Sequence, residues 1–553
     1  MPTQRIALGE WTPDQPGLVG GIQTALNCYP TATGYAPFPS EAYFSDAAAE
    51  DLKTLSYSKD QSGTIKLFAA GQDKIYTVDS VGALTDVWYT SGTYSQSGST
   101  TLTVTATAHG WKTGDSVYLN FTSGTAVDGQ FTITKLTADT FTITTTSATT
   151  SGNVRISASE TGFNTPSNER IRFTRFGNRT IAANFGDRLQ SFVADTSTSF
   201  RNLADNAPIA KYVTVVRDFV VAAHLDSAGG NLPYRVQWSD LNDETNWTSA
   251  PSSPASQSDY QDIPDGGHIT GIRGGEFGLI LMEKAIHRMS YIGTPLIFQF
   301  DKISREKGCI ASGSVSQYQG LTFFLSDDGF YMCDGQQVVP IGAEKIDRFF
   351  FNDADMDFTT MSSAVDPVRK LVMWNYKSKF AERKLIVYSF TTKKWSVMMA
   401  NSDYISDATT ASVTLEQLDD INASLDALSV SLDSNIYAGG KYFLGGTSGT
   451  KVVTFSGANK SATIETGDIS TGGRSLVTLA RPQVDNGSAT VALASRTLLS
   501  DGVTFGTATA ADSDNRVSLR GSGNYHRIQV NPTGDNWRMA VAVDVEIQPQ
   551  GVR

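Results

Sequence analysis

A hairpin unit recurs along the chain from about residue 64 to about residue 465. In each copy a short apolar strand runs into a Gly- or Asp-containing turn and an aromatic-rich strand follows, as at 66–78, 321–333 and 442–455. Two β-rich runs of about five residues around such a turn predict a β-hairpin. Repeated hairpins must bury their faces against one another, as in propellers and solenoids. The repeat therefore predicts an all-β fold with an irregular β-propeller core over residues 61–96 and 158–465.

Length and charge restrict the class of protein. At 553 residues the chain exceeds one ordinary hydrophobic core, which predicts about two to four domains. With 44 Lys and Arg against 56 Asp and Glu, the net charge is −12. This charge argues against a surface built to grip nucleic acid, although it is compatible with nucleic acid that passes through a repelling channel. The sequence has neither a basic leader followed by an apolar stretch nor an apolar run of about 18 residues, so no signal peptide and no membrane-spanning segment is expected.

Residues 1–60 are predicted to form an extended N-terminal arm. Prolines and glycines are frequent between Pro13 and Pro39, which makes a long regular element unfavourable. Trp11, Tyr35 and Phe38 nevertheless make the segment too apolar for disorder. The arm is therefore expected to pack across its own domain or onto a neighbouring subunit.

Two further β domains are predicted. Residues 97–157 are rich in threonine and alternate apolar with polar positions, as at Val117, Leu119 and Phe121, which predicts a small β-sandwich or barrel inserted into a loop of the first repeat. Alternation resumes after the Gly/Ser/Thr-rich segment 466–475, which predicts a separate C-terminal β-sandwich over 466–553. Leucines spaced by three or four over 413–433 predict a short or broken helix.

The histidines and cysteines do not have the spacing of a metal or catalytic site. No pair of histidines has HxH or HExxH spacing, and no CxxC pair occurs. The cysteines are expected to be buried reduced thiols. The residues concerned are His109, His224, His268, His287, His526, Cys28, Cys309 and Cys333.

Two acidic turns and one basic stretch are candidates for binding or catalytic sites. The alternate carboxylates of 352–357 resemble the start of a calcium loop, but Phe358 stands where that loop needs glycine, which favours a solvated turn. The segment 326–329 resembles a sialidase Asp-box without its spacers, which favours a hairpin turn. In the basic stretch 170–179, alternation is expected to direct Arg170, Arg172 and Arg179 toward solvent or toward a partner's acids, and nucleic-acid contact stays a second interpretation. No catalytic, cofactor-binding or metal-binding residue is predicted.

Short motifs occur in a fixed order over most of the chain. Near the N-terminus they are Glu10-Trp11-x-Pro13-Asp14, Ala25-x-Asn27-x-Tyr29-Pro30 and Gly34-Tyr35-x-Pro37. In the middle they are Arg235-Val236-x-Trp238-Ser239-Asp240, Asp243, Asn246-Trp247-Thr248, Lys307-Gly308-Cys309-Ile310-Ala311-x-Gly313-Ser314-Val315 and Leu325-Ser326-x-Asp328-Gly329-Phe330-Tyr331. Then come Val365-Asp366-Pro367, Leu371-Val372-x-Trp374, Leu385-Ile386-Val387-Tyr388, Trp395-Ser396, Ser424-Leu425-Asp426-Ala427-Leu428, Ser431-Leu432-Asp433-Ser434 and Tyr525-His526-Arg527. Together they resemble the tail nozzle proteins of short-tailed bacteriophages, also called tail tubular protein B, tail hub or packaged-DNA stabilisation proteins.

The resemblance implies a structural protein of the virion tail without catalytic residues or cofactors, made and assembled in the host cytoplasm. Such proteins form a homo-oligomeric ring, commonly a hexamer, below the portal and its adaptor ring. The ring retains packaged DNA and conducts the viral double-stranded DNA during ejection, and tail fibres or tail tip proteins are implied as further partners. The 97–157 insert lies outside the resemblance to nozzle proteins and is similar to small β modules of many phage structural proteins.

Two alternatives come from other functional classes. One is a propeller-type glycan-cleaving tail enzyme, which would need two carboxylates about 5–10 Å apart in a cleft. The other is a host-surface adhesin. For a nozzle, the bore is expected to carry acidic and small polar residues, because each Lys or Arg contact to phosphate would slow the DNA. The acidic turns Asp327-Asp328 and Asp353-Ala354-Asp355 are candidates for such positions.

Overall fold

The computed structural model describes residues 3–59, 65–227, 230–249, 256–409 and 442–550. Over these ranges the chain forms 44 strands, one α-helix, α1 (Asp347–Asp353), and two short 3-10 helices, Gly17–Val19 and Ser312–Ser314. The predicted all-β class is therefore confirmed. The helix predicted over 413–433 lies outside the described residues. None of the helices in these ranges has the length and apolar character that a bilayer crossing requires.

Five strands precede the first repeat. They are β1 (Thr3–Ala7), β2 (Ile22–Leu26), β3 (Cys28–Pro30), β4 (Tyr35–Pro37) and β5 (Pro39–Tyr43). Apart from the β3–β4 hairpin, these strands pair with distant parts of the same chain. The predicted arm is thus a set of strands packed on its own chain, and residues 54–59 at its predicted end belong to the first repeat.

The first repeat is one blade of a β-propeller, and the inserted sheet follows it. Blade 1 comprises β6 (Thr54–Lys59), β7 (Ile65–Ala70), β8 (Ile75–Val78) and β9 (Leu84–Asp86). The inserted sheet comprises β10 (Thr90–Thr105), β11 (Ser116–Phe121), β12 (Gly129–Thr132), β13 (Thr134–Lys135) and β14 (Thr140–Ser157).

Blades 2 to 5 are separate four-stranded antiparallel sheets. Blade 2 comprises β15 (Arg172–Phe176), β16 (Arg179–Ala183), β17 (Gln190–Val193) and β18 (Arg201–Asn202). Blade 3 comprises β19 (Ile209–Val216), β20 (Phe219–Ser227), β21 (Gly230–Trp238) and β22 (Asp259–Asp262). Blade 4 comprises β23 (Ile269–Arg273), β24 (Gly278–Met282), β25 (Ile286–Gly293) and β26 (Ile297–Ser304). Blade 5 comprises β27 (Ser316–Tyr318), β28 (Leu321–Leu325), β29 (Phe330–Cys333) and β30 (Val338–Pro340).

Blades 6 and 7 complete the ring. Blade 6 comprises β31 (Ser362–Asp366), β32 (Leu371–Lys377), β33 (Arg383–Ser389) and β34 (Lys394–Ala400). Blade 7 comprises β35 (Tyr404–Thr409), β36 (Tyr442–Ser448), β37 (Lys451–Asn459) and, as its outer strand, β5 from the N-terminal segment. Strand β35 contacts β6 of blade 1, so the last blade closes against the first. The two ends of the propeller are therefore joined by a strand that precedes the first blade.

Buried apolar side chains fill each of the seven interfaces between neighbouring blades. Both faces of a blade are therefore covered. In β7, Phe68 and Ala70 face blade 2, whereas Leu67 and Ala69 face blade 7. This explains why the repeats contain continuous apolar runs rather than strict alternation. Burial of each large apolar side chain stabilises the fold by about 1.5–3 kcal/mol.

The insert is a small sheet that docks on blade 2. Its strand order is β10-β14-β11-β12, with β13 on β14. Because β10 and β14 pair from Thr90 and Ile156 onward, it begins before the predicted residue 97. Arg188 of blade 2 donates two hydrogen bonds to the Asp115 carboxylate of the insert, at 2.9 and 3.0 Å. Its core contains the alternating positions that predicted it, Val104, Val117, Leu119, Phe141 and Ile143.

The last seven strands form a sandwich that is continuous with the propeller. They are β38 (Thr463–Thr466), β39 (Ser475–Asp485), β40 (Ser488–Arg496), β41 (Thr509–Ala510), β42 (Val517–Gly523), β43 (Tyr525–Thr533) and β44 (Met539–Pro549). One sheet joins β1 and β4 to β44-β39-β42, and the other runs β38-β43-β40-β41. Strand β2 lies between β34 and β38, which produces a nine-stranded sheet from blade 6 into the sandwich. The predicted separate domain therefore shares a sheet with the propeller.

A buried carboxyl lies where the N-terminal segment meets α1. Asp14 accepts hydrogen bonds from the backbone amides of Arg348 and Phe349 at 2.8 and 2.7 Å. Nearby, Asp347 accepts one from the Phe330 amide at 3.1 Å. Burial, together with the charges of Asp14 and Asp328, raises the pKa of Asp347 to about 7.

Asp347→Asn is expected to stabilise the protein at neutral and alkaline pH but not near pH 4. The unfolded carboxyl titrates near pH 4, so the stability contributed by the bound proton is complete below about pH 4 and is lost as pH rises through about 7. The amide removes this loss, so we expect a gain of about 1–3 kcal/mol at pH 8.5 after allowance for partial exposure. Melting temperatures at pH 4.5 and 8.5 measure the effect. Asp334→Asn is the control, because backbone amides lower the pKa of Asp334 and its neutralisation should give no gain.

Candidate functional site: the axial channel

A cavity of about 690 Å³ runs along the propeller axis. The first strands of all seven blades line it, from β6 in blade 1 to β35 in blade 7. These strands form the inner edges of the blades, and polar and charged side chains on or beside them line the cavity. The cavity is therefore the place where the ring brings together residues that are far apart in the sequence.

The side chains of the channel are strongly cationic. Asp407 is the carboxylate among the lining residues of the described chain, and it has an interaction of its own. The chain as a whole carries a net charge of −12. Charges of one sign in a narrow cavity reinforce one another's field. The cationic lining residues are Lys53, Lys59, Arg170, Arg172, Arg175 and Arg273.

Arg172 is held in place by an ion pair and an aromatic ring. Its guanidinium donates to Glu169 Oε2 at 3.1 Å and lies 4.8 Å from the centroid of Tyr212. Lys211 pairs with the other oxygen of Glu169. Although burial favours the neutral carboxyl, Arg172 and Lys211 lower the pKa of Glu169 below its ordinary value. Glu169 thus forms ion pairs with two cations, and its lowered pKa makes it a poor proton acceptor near neutral pH.

Arg170 has no carboxylate partner among the described residues. Its guanidinium carbon lies 5.6 Å from the ring centroid of Tyr404, a weak cation–π contact. Burial and the neighbouring Arg172 lower the pKa of Arg170 to about 10. Burial is the larger cause, so the Arg170 guanidinium is poorly solvated and has no ion-paired carboxylate within the described ranges.

Arg273 adds a third guanidinium from another blade. It donates hydrogen bonds to the backbone carbonyls of Ile272, at 3.1 Å, and Val315. Burial lowers the pKa of Arg273 as well, and within the described ranges it forms no ion pair. Arg175 stacks 4.0 Å from the ring centroid of Tyr57. The guanidinium groups are thus positioned by carbonyls and aromatic rings more than by acids.

The structure divides the basic stretch 170–179 between two environments. Arg170 and Arg172 line the axial channel of their own propeller. Arg179 instead pairs with Glu244 at 2.7 Å and donates to Ser191 at 3.1 Å, which ties blade 2 to the loop of blade 3. The acid that pairs with Arg179 therefore belongs to the same chain and not to a partner subunit.

The tyrosines of the channel are poor nucleophiles. Burial raises the pKa of Tyr212 to about 12 and raises that of Tyr404 above its ordinary value. A glycan-cleaving site needs two carboxylates in one cleft. Within the described ranges the channel offers Asp407 and, near its Arg172 side, the ion-paired Glu169. This arrangement is chemically suited to hold oxyanions.

His526 and the three cysteines lie in buried surroundings. His526 lies between the hydroxyls of Ser475 and Ser495, at 3.0 and 2.8 Å, and burial lowers its pKa. Among the described residues no group of three His, Cys, Asp or Glu side chains could hold a metal ion. The three cysteines are free and buried.

Both acidic turns are partly neutralised by lysines. Lys307 pairs with Asp327 at 3.3 Å and with Asp328 at 2.7 Å. Lys384 donates to both oxygens of Asp353, at 2.9 and 3.1 Å. The Asp327 and Asp328 carboxylates thus stabilise their turn, whereas Asp353 is the last residue of α1, so the predicted turn at 352–357 begins within that helix.

The sequence did not predict Arg273 and Lys53, which line the channel together with Arg170 and Arg172. Arg273 and Lys53 belong to other blades and carry no motif. Their one shared signal is a position at or beside the first strand of a repeat. Aligning the repeats by their first strands would have placed these cations on one axis.

Comparison with solved structures finds matches of low sequence identity and low TM-score. No family model matches the chain, and no curated protein matches it. A computationally designed protein, Ika8, is 10% identical, with a TM-score of 0.32 over 75% of this chain and 99% of that one. The phage phi92 endosialidase is 16% identical, with a TM-score of 0.19 over 58% of this chain and 63% of that one. An exo-β-1,3-galactanase from Phanerochaete chrysosporium is 10% identical, with a TM-score of 0.24 over 68% and 95%.

Proposed function

We propose that this protein is a structural subunit of a bacteriophage tail nozzle, a ring that retains packaged DNA and conducts it during ejection. The supporting observation is where the motif residues lie. Several motifs that resemble nozzle proteins lie where N-terminal strands or neighbouring blades meet, whereas those at 424–428 and 431–434 lie outside the described residues. A chain interlocked in this way suits a part that bears pressure rather than one that turns over a substrate.

The N-terminal motifs tie strands to the propeller. Trp11 is buried, donates to the Gln23 carbonyl at 3.0 Å and packs edge-on against Phe349 of α1. Asn27 accepts a hydrogen bond from the Met399 amide of blade 6 and donates to the Ser461 carbonyl beside β38. Both side chains thus hold segments that are hundreds of residues apart in sequence.

The central motifs join blades 4, 5 and 6. A Cβ at Gly308 would lie 2.2 Å from the Met282 carbonyl oxygen, so the close approach requires glycine. Ser314 accepts a hydrogen bond from the Leu325 amide at 2.9 Å, and its carbonyl accepts one from Trp374 at 2.8 Å. These contacts position neighbouring blades, which is a scaffold role.

The proposal predicts a closed ring of about six chains. The purified protein should give a particle of roughly six times 59.5 kDa by mass photometry, and negative-stain images should show a ring with an open or gated centre. Incubation with bacterial surface glycans should release no shorter sugars. A chain that stays monomeric at high concentration and shortens glycans would contradict the nozzle role and favour the glycan-cleaving alternative.

A further inference from the structure

We propose that the axial channel of each propeller binds a small polyanion that carries at least two phosphate or carboxylate groups. This site is separate from the bore of a ring and does not depend on the nozzle role. The channel volume of about 690 Å³ lies within the range of small-molecule sites, about 300–1,000 Å³.

The first argument is the excess of positive charge. Six cationic side chains and Asp407 line a channel in a chain of net charge −12. Cations clustered within an acidic protein are costly unless something compensates them. Glu169 compensates Arg172 and Lys211 but is not paired with Arg170. An anion in the channel would complete the compensation.

The second argument is the geometry of the guanidinium groups. Arg170 and Arg172 lie beside the start of β15, and Arg273 reaches the same cavity from β23. Arginine binds phosphate and carboxylate with two parallel N–H donors. Arg172 is fixed by Glu169 and Tyr212, and Arg273 by two carbonyls, so these side chains are already ordered before a ligand binds. Pre-ordered donors lower the entropic cost of binding.

The third argument is the set of small and hydroxyl side chains that lie beside the cations. Small side chains and hydroxyls, among them Ser312 and Ser363, line the channel next to the arginines. Gly313 leaves room for Arg170, since a Cβ there would lie 2.8 Å from Nη2 of that arginine. Hydroxyls and guanidinium groups together recognise oxyanions. Burial, and to a smaller extent Arg172, lowers the pKa of Arg170, which agrees with a poorly solvated guanidinium that would gain from an anionic partner.

Calorimetric titration and thermal shift measurements on the full chain test the proposal. The probes are sodium tripolyphosphate, citrate and inorganic phosphate, each at an ionic strength balanced with sodium chloride. We expect saturable binding of one tripolyphosphate or citrate per chain, tighter than that of inorganic phosphate. Binding of both polyanions indicates recognition of charge, and a preference for one assigns phosphate or carboxylate as the ligand class. A single-stranded oligonucleotide that binds more tightly than either would overturn the small-ligand assignment.

Two variants and one control locate the site. Arg170→Gln should weaken binding at least tenfold, as expected for loss of a charged hydrogen bond. Thr174→Glu should do the same by adding a carboxylate to the channel wall, and it serves as the second variant if Arg170→Gln fails to fold. Arg516→Gln, whose side chain is 47% exposed and pairs with Asp514, should bind as the wild type does. The proposal is wrong if no polyanion binds at 10 mM, if sodium chloride alone gives the same shift, or if neither channel variant weakens binding.

Discussion

A chain that lacks residues 1–40 is expected to fail to fold. The deletion removes the start of β5, the outer strand of blade 7, and all of β2, which joins blade 6 to the sandwich. It also removes Trp11, Ile22, Tyr35 and Phe38, which are at most 2% exposed. Each of these side chains contributes about 1.5–3 kcal/mol by burial, and the sum approaches the whole stability of a typical domain, about 5–15 kcal/mol. Soluble yield and circular dichroism melting measure the outcome.

A shorter deletion is the matched control. Removal of residues 1–7 takes away β1, an exposed edge strand that pairs only with β44 in the described structure. That variant should fold and lose little stability, because β1 is mostly exposed and the Arg5 side chain that pairs with Asp544 is 68% exposed. A 1–40 deletion that melts cooperatively and merely fails to form rings would show instead that the N-terminal strands serve assembly between subunits.

Asp468→Ala is expected to destabilise the protein by about 3–5 kcal/mol, because it leaves two largely buried guanidinium groups without their carboxylate. Asp468, with a side chain only 2% exposed, accepts from Arg527 at 2.8 Å and from Arg496 at 2.6 Å. Its backbone amide donates to the Gly17 carbonyl, which ties the sandwich to the N-terminal segment. Urea or thermal denaturation of the variant and the wild type measures the loss.

Asp514→Ala is the control for this prediction. Asp514 pairs with Arg516 at 3.6 Å, and both side chains are about half exposed, at 68% and 47%. Exposed pairs contribute about 0–1 kcal/mol, so its loss should be small. Equal effects of the two substitutions would contradict the role of Asp468 as the common partner of two arginines.

The ion pairs of the acidic residues change the prediction of which residues would line the bore of a ring. The acidic turns at Asp328 and Asp353 are engaged by Lys307 and Lys384, so their charge is partly balanced inside the subunit. A cluster of six cationic side chains, Arg170 among them, lines the propeller axis. The acidic groups that would line a ring bore must therefore be sought on other surfaces of the chain.

Local sequence patterns were sufficient to predict the all-β class and the hairpins of the blades. The hairpin at 66–78 and the aromatic pair of strands at 321–333 were readable because each hairpin pairs residues that are close in sequence. The alternation of Val117 and Leu119 likewise indicated the insert, whose strands pair with one another. These features depend on turn chemistry and on the period of side chains along a strand, both of which are local.

Long-range pairing decided the rest. Alternation places Arg170 and Arg172 on one face of a strand, but only closure of the ring turns that face into a channel that Arg273 shares. In the same way, nothing near Pro39–Tyr43 indicates that β5 completes a blade with β37, about 410 residues later in the chain. The sequence by itself determined which segments become strands, because strand formation follows local side-chain pattern. The tertiary structure alone decided which strands meet and which charges face one axis, because those contacts join residues that no sequence window contains together.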